Sequence, residues 1–310
     1  MRHLRHTVFA FAIVGSLACN PAEAVQRAFV ASFGNDANTA TNCGFANPCR
    51  GFTAAQTVTD PGGEIVALDA AGYGPITITK SITITANPGF YAGIAASSGT
   101  AVTIATAAVK VTLRGLNING IGASDGVVMT NGNRLSIENC IISNFSTDGV
   151  RVGAAATVRI VDSIIKDNGN NGVYLSNGAT ATISGVKVLG SGYMGIYVSG
   201  TVASTTTTAD ISNSLASGTV YVGIYAYAPT AGAIARASVT RSTSSNNGYG
   251  IGADLGSGTQ IITAGDNLVT GNSVAGLYQN GTATFESLGN NIVRQNGANT
   301  QGAITGVSGL

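Results

Sequence analysis

The chain has 310 residues, a formal net charge of +1 at pH 7, and only 9% charged residues. Such a composition argues against a nucleic-acid partner, because binding to phosphates needs a concentrated basic stripe. The only two histidines are His3 and His6; if the first residues are cleaved, histidine-based acid–base chemistry and histidine-ligated metal sites are excluded.

Residues 1–24 are predicted to be a secretory signal peptide. Two arginines precede the uncharged apolar run 7–18, and a small-x-small cleavage site ends at Ala24. We therefore expect a secreted or periplasmic protein after cleavage near Ala24. The alternative is a lipoprotein attached through Cys19. No later stretch is long and apolar enough to be expected to span a membrane.

Residues 25–62 are predicted to form an N-terminal cap. Cys43 and Cys49 lie in one segment rich in Gly, Asn and Pro, and they should form a disulfide in an oxidising compartment. Residues 52–58 have apolar side chains at helical spacing, which predicts a short helix that the Pro-Gly-Gly at 61–63 would terminate. A helix there would cover the open edge of the first rung of strands.

The main repeat is a glycine followed by a branched aliphatic residue. The first three steps are 23 residues long and the later ones are longer, and the glycines are Gly126, Gly149, Gly172, Gly195, Gly223, Gly250 and Gly276. A period in the twenties, with short apolar strands between Gly/Asn turns, is typical of a solenoid whose rungs must stack to bury their apolar faces. We predict a single β-solenoid domain of about nine to ten rungs over residues 63–310.

Four segments of the repeat align in one register: 111–118, 135–142, 158–165 and 181–188. The alignment predicts two inward apolar columns, of which one is Leu113, Ile137, Ile160 and Ile183 and the other is Ile118, Ile142, Ile165 and Val188. It also places Arg114 over Glu138 as an exposed ion pair. Cys140 falls at a small buried position, so we expect a free thiol in the core.

The glycine of each step is attributed to turn geometry. Asparagines gather just before it, at Asn144, Asn168, Asn246, Asn247 and Asn272. Tight corners favour residues that tolerate positive φ and that bond to the backbone, which accounts for these asparagines without invoking a function.

The segments 52–58 (FTAAQTV) and 61–84 (PGGEIVALDAAGYGPITITKSITI) resemble the first part of the right-handed parallel β-helix superfamily that includes pectate lyases. The later Gly-Val rungs resemble its generic repeat. The resemblance covers nearly the whole mature chain and implies an all-β fold, a single-stranded right-handed parallel β-helix with an N-terminal capping helix. It does not imply an activity, because the superfamily holds lyases, hydrolases, esterases and non-catalytic surface proteins.

The catalytic motifs of three branches of this superfamily are missing from the chain. The Gly-His-Gly of the polygalacturonases requires a histidine, and neither the Asp-Phe-Ile-Phe-Gly of the pectin esterases nor the Trp-x-Asp-His of the pectate lyases is present. No catalytic set can therefore be carried over residue by residue.

Two carboxylates are the candidate catalytic residues. Asp125 and Asp148 directly precede repeating glycines on adjacent rungs, and Arg151 follows three residues later. At ~5 Å and an effective dielectric constant of ~20, two ionised carboxylates would repel by roughly 3 kcal/mol. Such a pair is tolerated when it serves acid–base chemistry or is bridged by a cation. Alternatively, Arg151 neutralises Asp148, or Asp before Gly serves the turn alone. Ca²⁺ would need more oxygen ligands than we can name, so no metal or cofactor is predicted.

A column of tyrosines is the candidate binding site. Side chains two positions after each repeating glycine should point outward, and they read Val128, Arg151, Tyr174, Tyr197, Tyr225, Gly252 and Tyr278. Tyr193, Tyr221 and Tyr249 flank this column. Flat aromatic faces at a regular rise can stack on sugar rings, although tyrosines also stabilise strands by packing on one another.

Two functions follow from these candidates. The leading hypothesis is an exported, non-catalytic β-helix that binds a polysaccharide or cell-surface glycan through an exposed tyrosine ladder of Tyr174, Tyr197 and Tyr225, flanked by Tyr193, Tyr221 and Tyr249. The alternative is a polysaccharide lyase or glycoside hydrolase that uses Asp125 and Asp148 with support from Arg151.

Overall fold

The computed structural model describes residues 25–308 of the chain. There, three parallel β-sheets run along a solenoid, and each complete rung supplies one short strand to each sheet. The solenoid has about 9 turns, which confirms the predicted β-solenoid. The predicted signal peptide and Cys19 lie outside the described residues.

We name the three sheets A, B and C. Sheet A has 12 strands: Val25–Val30, Thr59–Ala67, Ile82–Ala86, Lys110–Arg114, Arg134–Glu138, Thr157–Val161, Thr180–Ser184, Thr206–Ser212, Ile234–Thr240, Thr259–Gly265, Thr284–Ser287 and Ile304–Gly306. Sheet B has 10 strands: Ala71–Gly72, Ala92–Ala96, Leu116–Gly120, Ile141–Ser143, Ile164–Lys166, Lys187–Leu189, Leu215–Ser217, Thr243–Ser245, Leu268–Thr270 and Ile292–Arg294. Sheet C has 10 strands: Ile76–Ile78, Thr100–Ile104, Asp125–Met129, Val150–Val152, Val173–Leu175, Met194–Ser199, Val222–Tyr227, Tyr249–Ala253, Ala275–Gln279 and Ala298–Gln301.

The cap contains the predicted helix, Phe52–Val58, and a short 3₁₀ helix, Asp36–Thr41. The predicted disulfide between Cys43 and Cys49 is present, with a Cα–Cα distance of 4.9 Å. Within residues 25–308, neither helix is long and apolar enough to cross a membrane.

The cap is continuous with the solenoid. The helix ends at Val58, but the Pro-Gly-Gly at 61–63 lies inside the strand Thr59–Ala67 rather than in a turn between cap and solenoid. This strand pairs with Val25–Val30, and the pairing skips from Val25↔Thr59 to Arg27↔Glu64. The proline, which cannot donate to a ladder, is accommodated in this bulge.

The inward columns predicted from the alignment are confirmed. Leu113, Ile137, Ile160 and Ile183 pair in sequence across sheet A, and all are fully buried. The second column, in sheet B, pairs Ile118 with Ile142, Ile142 with Ile165, and Ile165 with Val188. Each branched side chain contacts its counterpart one rung away, at the strand spacing of ~4.8 Å, which closes the core.

The predicted surface ion pair between Arg114 and Glu138 is also present, and Arg159 is a second partner of Glu138. Glu138 lies 2.9 Å from Arg114 Nε and 2.7 Å from Arg159 Nη1. Burial alone would raise the pKa of Glu138, but hydrogen bonds from Ser136 and Arg114 and the charges of the two arginines hold it below its ordinary value.

The repeating glycine is required for close approach rather than for turn geometry. None of the seven glycines of the step has a positive φ, so the expectation of a turn conformation is wrong. A Cβ built on Gly149 would lie 2.8 Å from Gly172 O of the next rung and 2.7 Å from Asn168 Nδ2. Adjacent rungs therefore stack at this corner only where a side chain is missing.

The corner asparagines divide into two groups. Asn144 and Asn246 have φ of 65° and 56°, as expected for tight corners. Others form an internal stack, which we call the asparagine ladder and which contains Asn168, Asn247, Asn272 and Asn296. Each ladder carboxamide accepts a hydrogen bond from a backbone N–H one rung earlier, as in Asn272 N to Asn296 Oδ1 at 3.0 Å and Asn247 N to Asn272 Oδ1 at 3.0 Å.

Two shorter side chains interrupt this ladder. Ser191 and Thr219 occupy the rungs between Asn168 and Asn247. Among the described residues, Asn168 Nδ2, Ser191 Oγ and Thr219 Oγ1 are buried and have no hydrogen-bond partner. The interruption therefore leaves three adjacent rungs with unsatisfied polar atoms, which is a destabilising arrangement.

Rung length varies in the turns from sheet C to sheet A and in the strands that flank them. These turns include residues 176–179 in a short rung but 200–205 and 228–233 in the long ones. The turns from sheet A to sheet B, such as 139–140 and 162–163, stay short. The longer turns supply two of the extra residues in each of these long rungs, and the longer flanking strands, such as Met194–Ser199 and Thr206–Ser212, supply the rest.

Candidate functional site

The predicted outward column forms one continuous row on sheet C. Register pairs join Val128 to Arg151, Arg151 to Tyr174, Tyr174 to Tyr197 and Tyr197 to Tyr225. The row continues through Gly252 to Tyr278. The strand alternation that buries the flanking aliphatic residues turns these side chains to the outside.

Eight of the 10 tyrosines, all except Tyr73 and Tyr91, form one continuous aromatic cluster. We call it the tyrosine cluster; its members are Tyr174, Tyr193, Tyr197, Tyr221, Tyr225, Tyr227, Tyr249 and Tyr278. The rings of Tyr193 and Tyr221 are stacked, with centroids 5.5 Å apart and planes within 8°. Other contacts are tilted or edge-on, as between Tyr221 and Tyr249 at 5.5 Å and 82°. Such mixed geometry is the favoured one for aromatic rings.

The tyrosine cluster differs from the expected exposed ladder because its centre is buried. Tyr225 is only 4% exposed and packs with Met194 and Val222 in a small apolar cluster separate from the main core. The rings of Tyr197, Tyr221 and Tyr227 surround it at centroid distances of 5.4, 6.3 and 6.0 Å. The expectation that Tyr225 is exposed is therefore wrong. Its neighbours cover it on both sides of the column.

The accessible part of the cluster is a groove of about 250 Å³. Its floor and walls are formed by Tyr193, Met194, Tyr197, Tyr221, Tyr225, Tyr227, Asp254 and Leu255. Tyr193 at the rim is 46% exposed. Tyr174, Tyr249 and Tyr278 belong to the cluster but do not line the groove.

Asp254 supplies the formal charge of the groove and was not among the predicted site residues. Its Oδ2 accepts a hydrogen bond from Tyr225 Oη at 3.2 Å. Its Oδ1 accepts from Leu255 N at 2.8 Å and from Asn280 Nδ2 at 2.7 Å. A sequence signal existed, because Asp254 lies two residues after Gly252 and strand alternation puts both on the outer face. Tyr227, two residues after Tyr225, carried the same signal.

The environment raises the pKa of several phenols in the cluster. Burial, with smaller contributions from neighbouring phenols, raises the pKa of Tyr197 to about 12. Burial and the negative charge of Asp254 raise the pKa of Tyr225 and of Tyr278 further. The groove therefore presents the neutral phenols of Tyr197 and Tyr225 and several aromatic faces beside Asp254.

The candidate catalytic residues converge, but in a structural arrangement. Arg151 Nε lies 2.8 Å from Asp148 Oδ2, and Arg151 Nη2 lies 3.7 Å from Asp125 Oδ1. Asp148 is only 1% exposed, and its Oδ1 accepts hydrogen bonds from Asn171 N at 3.1 Å and from Asn171 Nδ2 at 2.8 Å. Arg151 thus relieves the repulsion between the two carboxylates, which was one of the alternatives open from the sequence.

These contacts favour a structural role for both carboxylates. Asp125 Oδ1 accepts from Asp148 N at 3.3 Å, so each carboxylate bonds to the backbone of the following rung. A general acid or base must reach a substrate proton, and neither carboxylate lines the groove. Among residues 25–308, no group of three or more His, Cys, Asp and Glu side chains is placed to hold a metal ion.

A larger cavity, of about 820 Å³, lies near the cap. Its walls include Phe29, Phe45 and Phe90, and its two arginines are engaged with glutamates, Arg27 with Glu64 and Arg114 with Glu138. The charges in this cavity are compensated within the protein. We therefore regard the tyrosine groove, with its stacked rings and a carboxylate without a basic partner, as the better candidate site.

Comparisons with solved structures show the same architecture in proteins of low sequence identity. Tailspike protein 2 of an Escherichia coli O157:H7 bacteriophage matches with a TM-score of 0.57 and 14% identity over 84% of this chain, which spans 38% of the tailspike. The pectate lyase Pel9A matches with a TM-score of 0.56 and 15% identity over 88% of this chain and 80% of the lyase. The enzymatically active domain of the bacteriophage CBA120 tailspike protein 2 matches with a TM-score of 0.56 and 13% identity over 91% of this chain and 46% of that domain.

Sequence comparison supports the same assignment. The comparison with curated proteins found no match. The family model described as "Right handed beta helix region" matches residues 31–211, which is more than half of the chain. Together with the three parallel sheets, this match confirms the resemblance seen in the sequence: the protein belongs to the right-handed parallel β-helix family.

Proposed function

We propose that the protein binds a polysaccharide or cell-surface glycan at the tyrosine groove, without catalysing its cleavage. The observation that carries the proposal is the groove itself, in which aromatic faces and one carboxylate converge on the outer face of sheet C. Ligand sites are concavities lined by aromatic and apolar side chains with a few placed polar groups, and the groove is lined by five tyrosines beside one carboxylate.

The chemistry of the groove suits sugar rings. The rings of Tyr193 and Tyr221 are stacked on each other, and Tyr193, which is 46% exposed, can stack on the apolar C–H face of a pyranose. Phenol hydroxyls and the Asp254 carboxylate offer donors and acceptors to sugar hydroxyls. Because most of the cluster is held by ring–ring contacts, little side-chain entropy is lost when a ligand binds.

Export of the protein is part of the proposal. The disulfide between Cys43 and Cys49 is of the kind that persists in oxidising compartments. We therefore propose a secreted or periplasmic location after cleavage of residues 1–24, with attachment through Cys19 as the alternative. The fold is shared with a pectate lyase, but a likeness at 15% identity shows the fold alone, so glycan binding is argued from the groove.

Retention on an array of polysaccharides tests the proposal. We expect Tyr193→Ala with Tyr221→Ala to abolish retention on the glycans that hold the wild-type protein. Tyr91→Ala is the matched control, because Tyr91 is 49% exposed, close to the 46% of Tyr193, but lies outside the cluster. Tyr225 is left intact because its burial would confuse lost binding with lost stability. Equal retention of the double variant and the control would overturn the proposal.

A further inference from the structure

The charge of the groove selects among glycans. The lining residues include one acidic side chain, Asp254, and no arginine or lysine. None of the ion pairs among residues 25–308 contains Asp254. The groove therefore carries an uncompensated negative charge, and a uronic acid placed in it would meet a like charge at short range.

The aromatic walls of the groove also favour a positively charged ligand over a negatively charged one. Tyrosine rings have negative faces, which attract cations placed within about 6 Å of the ring centroid. Tyr197, Tyr221, Tyr225 and Tyr227 surround the groove. Raised phenol pKa values keep the rings of Tyr197, Tyr221 and Tyr225 neutral. A protonated amine in the groove would thus face both a carboxylate and several ring faces.

Asp254 also has acceptor capacity left for a ligand. A carboxylate offers about four acceptor positions. Leu255 and Asn280 bond to Oδ1, whereas Oδ2 accepts from Tyr225 Oη. The phenol of Tyr278 also lies near the carboxylate. Because Asp254 is only half-buried and lines the groove, Oδ2 can accept a further hydrogen bond from a ligand ammonium group.

We propose that the groove recognises amino sugars with a free, protonated amine, such as the glucosamine units of a deacetylated glycan. This inference rests on the proposed function and names its ligand class. The carboxylate and the aromatic faces act together on the ammonium group, and the exposed Tyr193, backed by the stacked ring of Tyr221, holds the sugar ring.

Calorimetric titration of the mature protein with three oligosaccharides of equal length tests this inference. The probes are a β-1,4-linked glucosamine oligomer, its N-acetylated form and a galacturonate oligomer. At low ionic strength we expect the free amine form to bind roughly tenfold more tightly than the N-acetylated form and the galacturonate to bind worst. The preference should shrink in high salt, because the charges at the groove are partly solvated.

Comparing Asp254→Asn with Asp210→Asn distinguishes the effect of the charge in the groove from the effect of the protein's net charge. Asparagine keeps the Oδ1 acceptor of Asp254, so we expect only the amine preference to fall, to within about twofold. Asp210→Asn makes the same change in net charge at an exposed residue of sheet A and should leave the preference intact. N-acetyl binding that needs Tyr193 but shows no amine preference would overturn this inference and leave the proposed function standing. Failure of all three probes to bind would overturn this inference, and retention on the polysaccharide array would still decide the proposed function.

Discussion

Replacing Asn272 with alanine tests whether the asparagine ladder stabilises the solenoid. Asn272 is buried in the turn between sheets B and C and makes four side-chain hydrogen bonds. It accepts from Asn247 N and Asn247 Nδ2, both at 3.0 Å. It donates to Ser244 O at 3.1 Å and to Asn296 Oδ1 at 2.8 Å. Alanine removes all four and leaves a buried backbone N–H without its acceptor.

The expected loss follows from these contacts. A typical intramolecular hydrogen bond contributes about 0.5–1.5 kcal/mol net, and an orphaned buried donor costs about 1–3 kcal/mol. Four lost bonds therefore predict a decrease of about 4 kcal/mol in the free energy of unfolding. This change is large, because single domains are stable by only about 5–15 kcal/mol.

Denaturant unfolding, followed by circular dichroism, measures this difference. Asn87→Ala is the control, since Asn87 is exposed and an exposed substitution should change stability by at most about 0.5 kcal/mol. Solenoid rungs interact mainly with their neighbours, so the later rungs are able to unfold separately in the variant. Hydrogen exchange at the Asn247 amide detects such local opening. A midpoint and an exchange rate equal to those of the control would refute the stabilising role of the ladder.

Three further predictions follow from the same contacts. Ser191→Asn with Thr219→Asn should complete the ladder and raise the unfolding free energy by about 1–3 kcal/mol, measured by denaturant midpoint; an unchanged or lower midpoint would show that the site lacks room. Because the folded pKa of Glu138 is lowered from 4.5, its contribution is complete above that pH and is lost as the pH falls through the folded value. Glu138→Gln should therefore lower the midpoint most at about pH 6 and progressively less as the pH is lowered below 4.5, and a loss that does not diminish on acidification would contradict this. Burial raises the pKa of the Cys140 thiol to about 11, so a thiol reagent at neutral pH should label it only after unfolding; labelling of the folded protein would contradict its burial.

The strands and their register were predictable from the sequence because the signal repeats. Leu113, Ile137 and Ile160 recur in one register, and a one-residue slip would expose the whole column. The helix Phe52–Val58 was predictable from its apolar spacing. Local periodicity determines these features, so they can be predicted from the sequence without knowing which distant residues are in contact.

Features that depend on packing between rungs were not predictable in the same way. The burial of Tyr225 results from rings on two adjacent rungs, Tyr197 on one and Tyr221 and Tyr227 on the other, and no single rung shows it. The ladder role of Asn272 depends on a partner one rung away, whereas the same residue type at Asn246 serves the corner through its positive φ. Asp254 was accessible to sequence reasoning, since alternation past Gly252 puts it on the outer face.

The groove has two parts whose sequences differ in how freely they can change, because one part lies on strands and the other lies in a turn of variable length. Its tyrosines lie on or directly beside the strands of sheet C, whose register the glycine corners and the core columns fix. Asp254 and Leu255 instead lie in the turn 254–258 from sheet C to sheet A, where neighbouring rungs already differ in length. Exchanging this turn would therefore change the charge and shape of one wall while the aromatic floor stays in place, so that ligand preference can diversify independently of the scaffold.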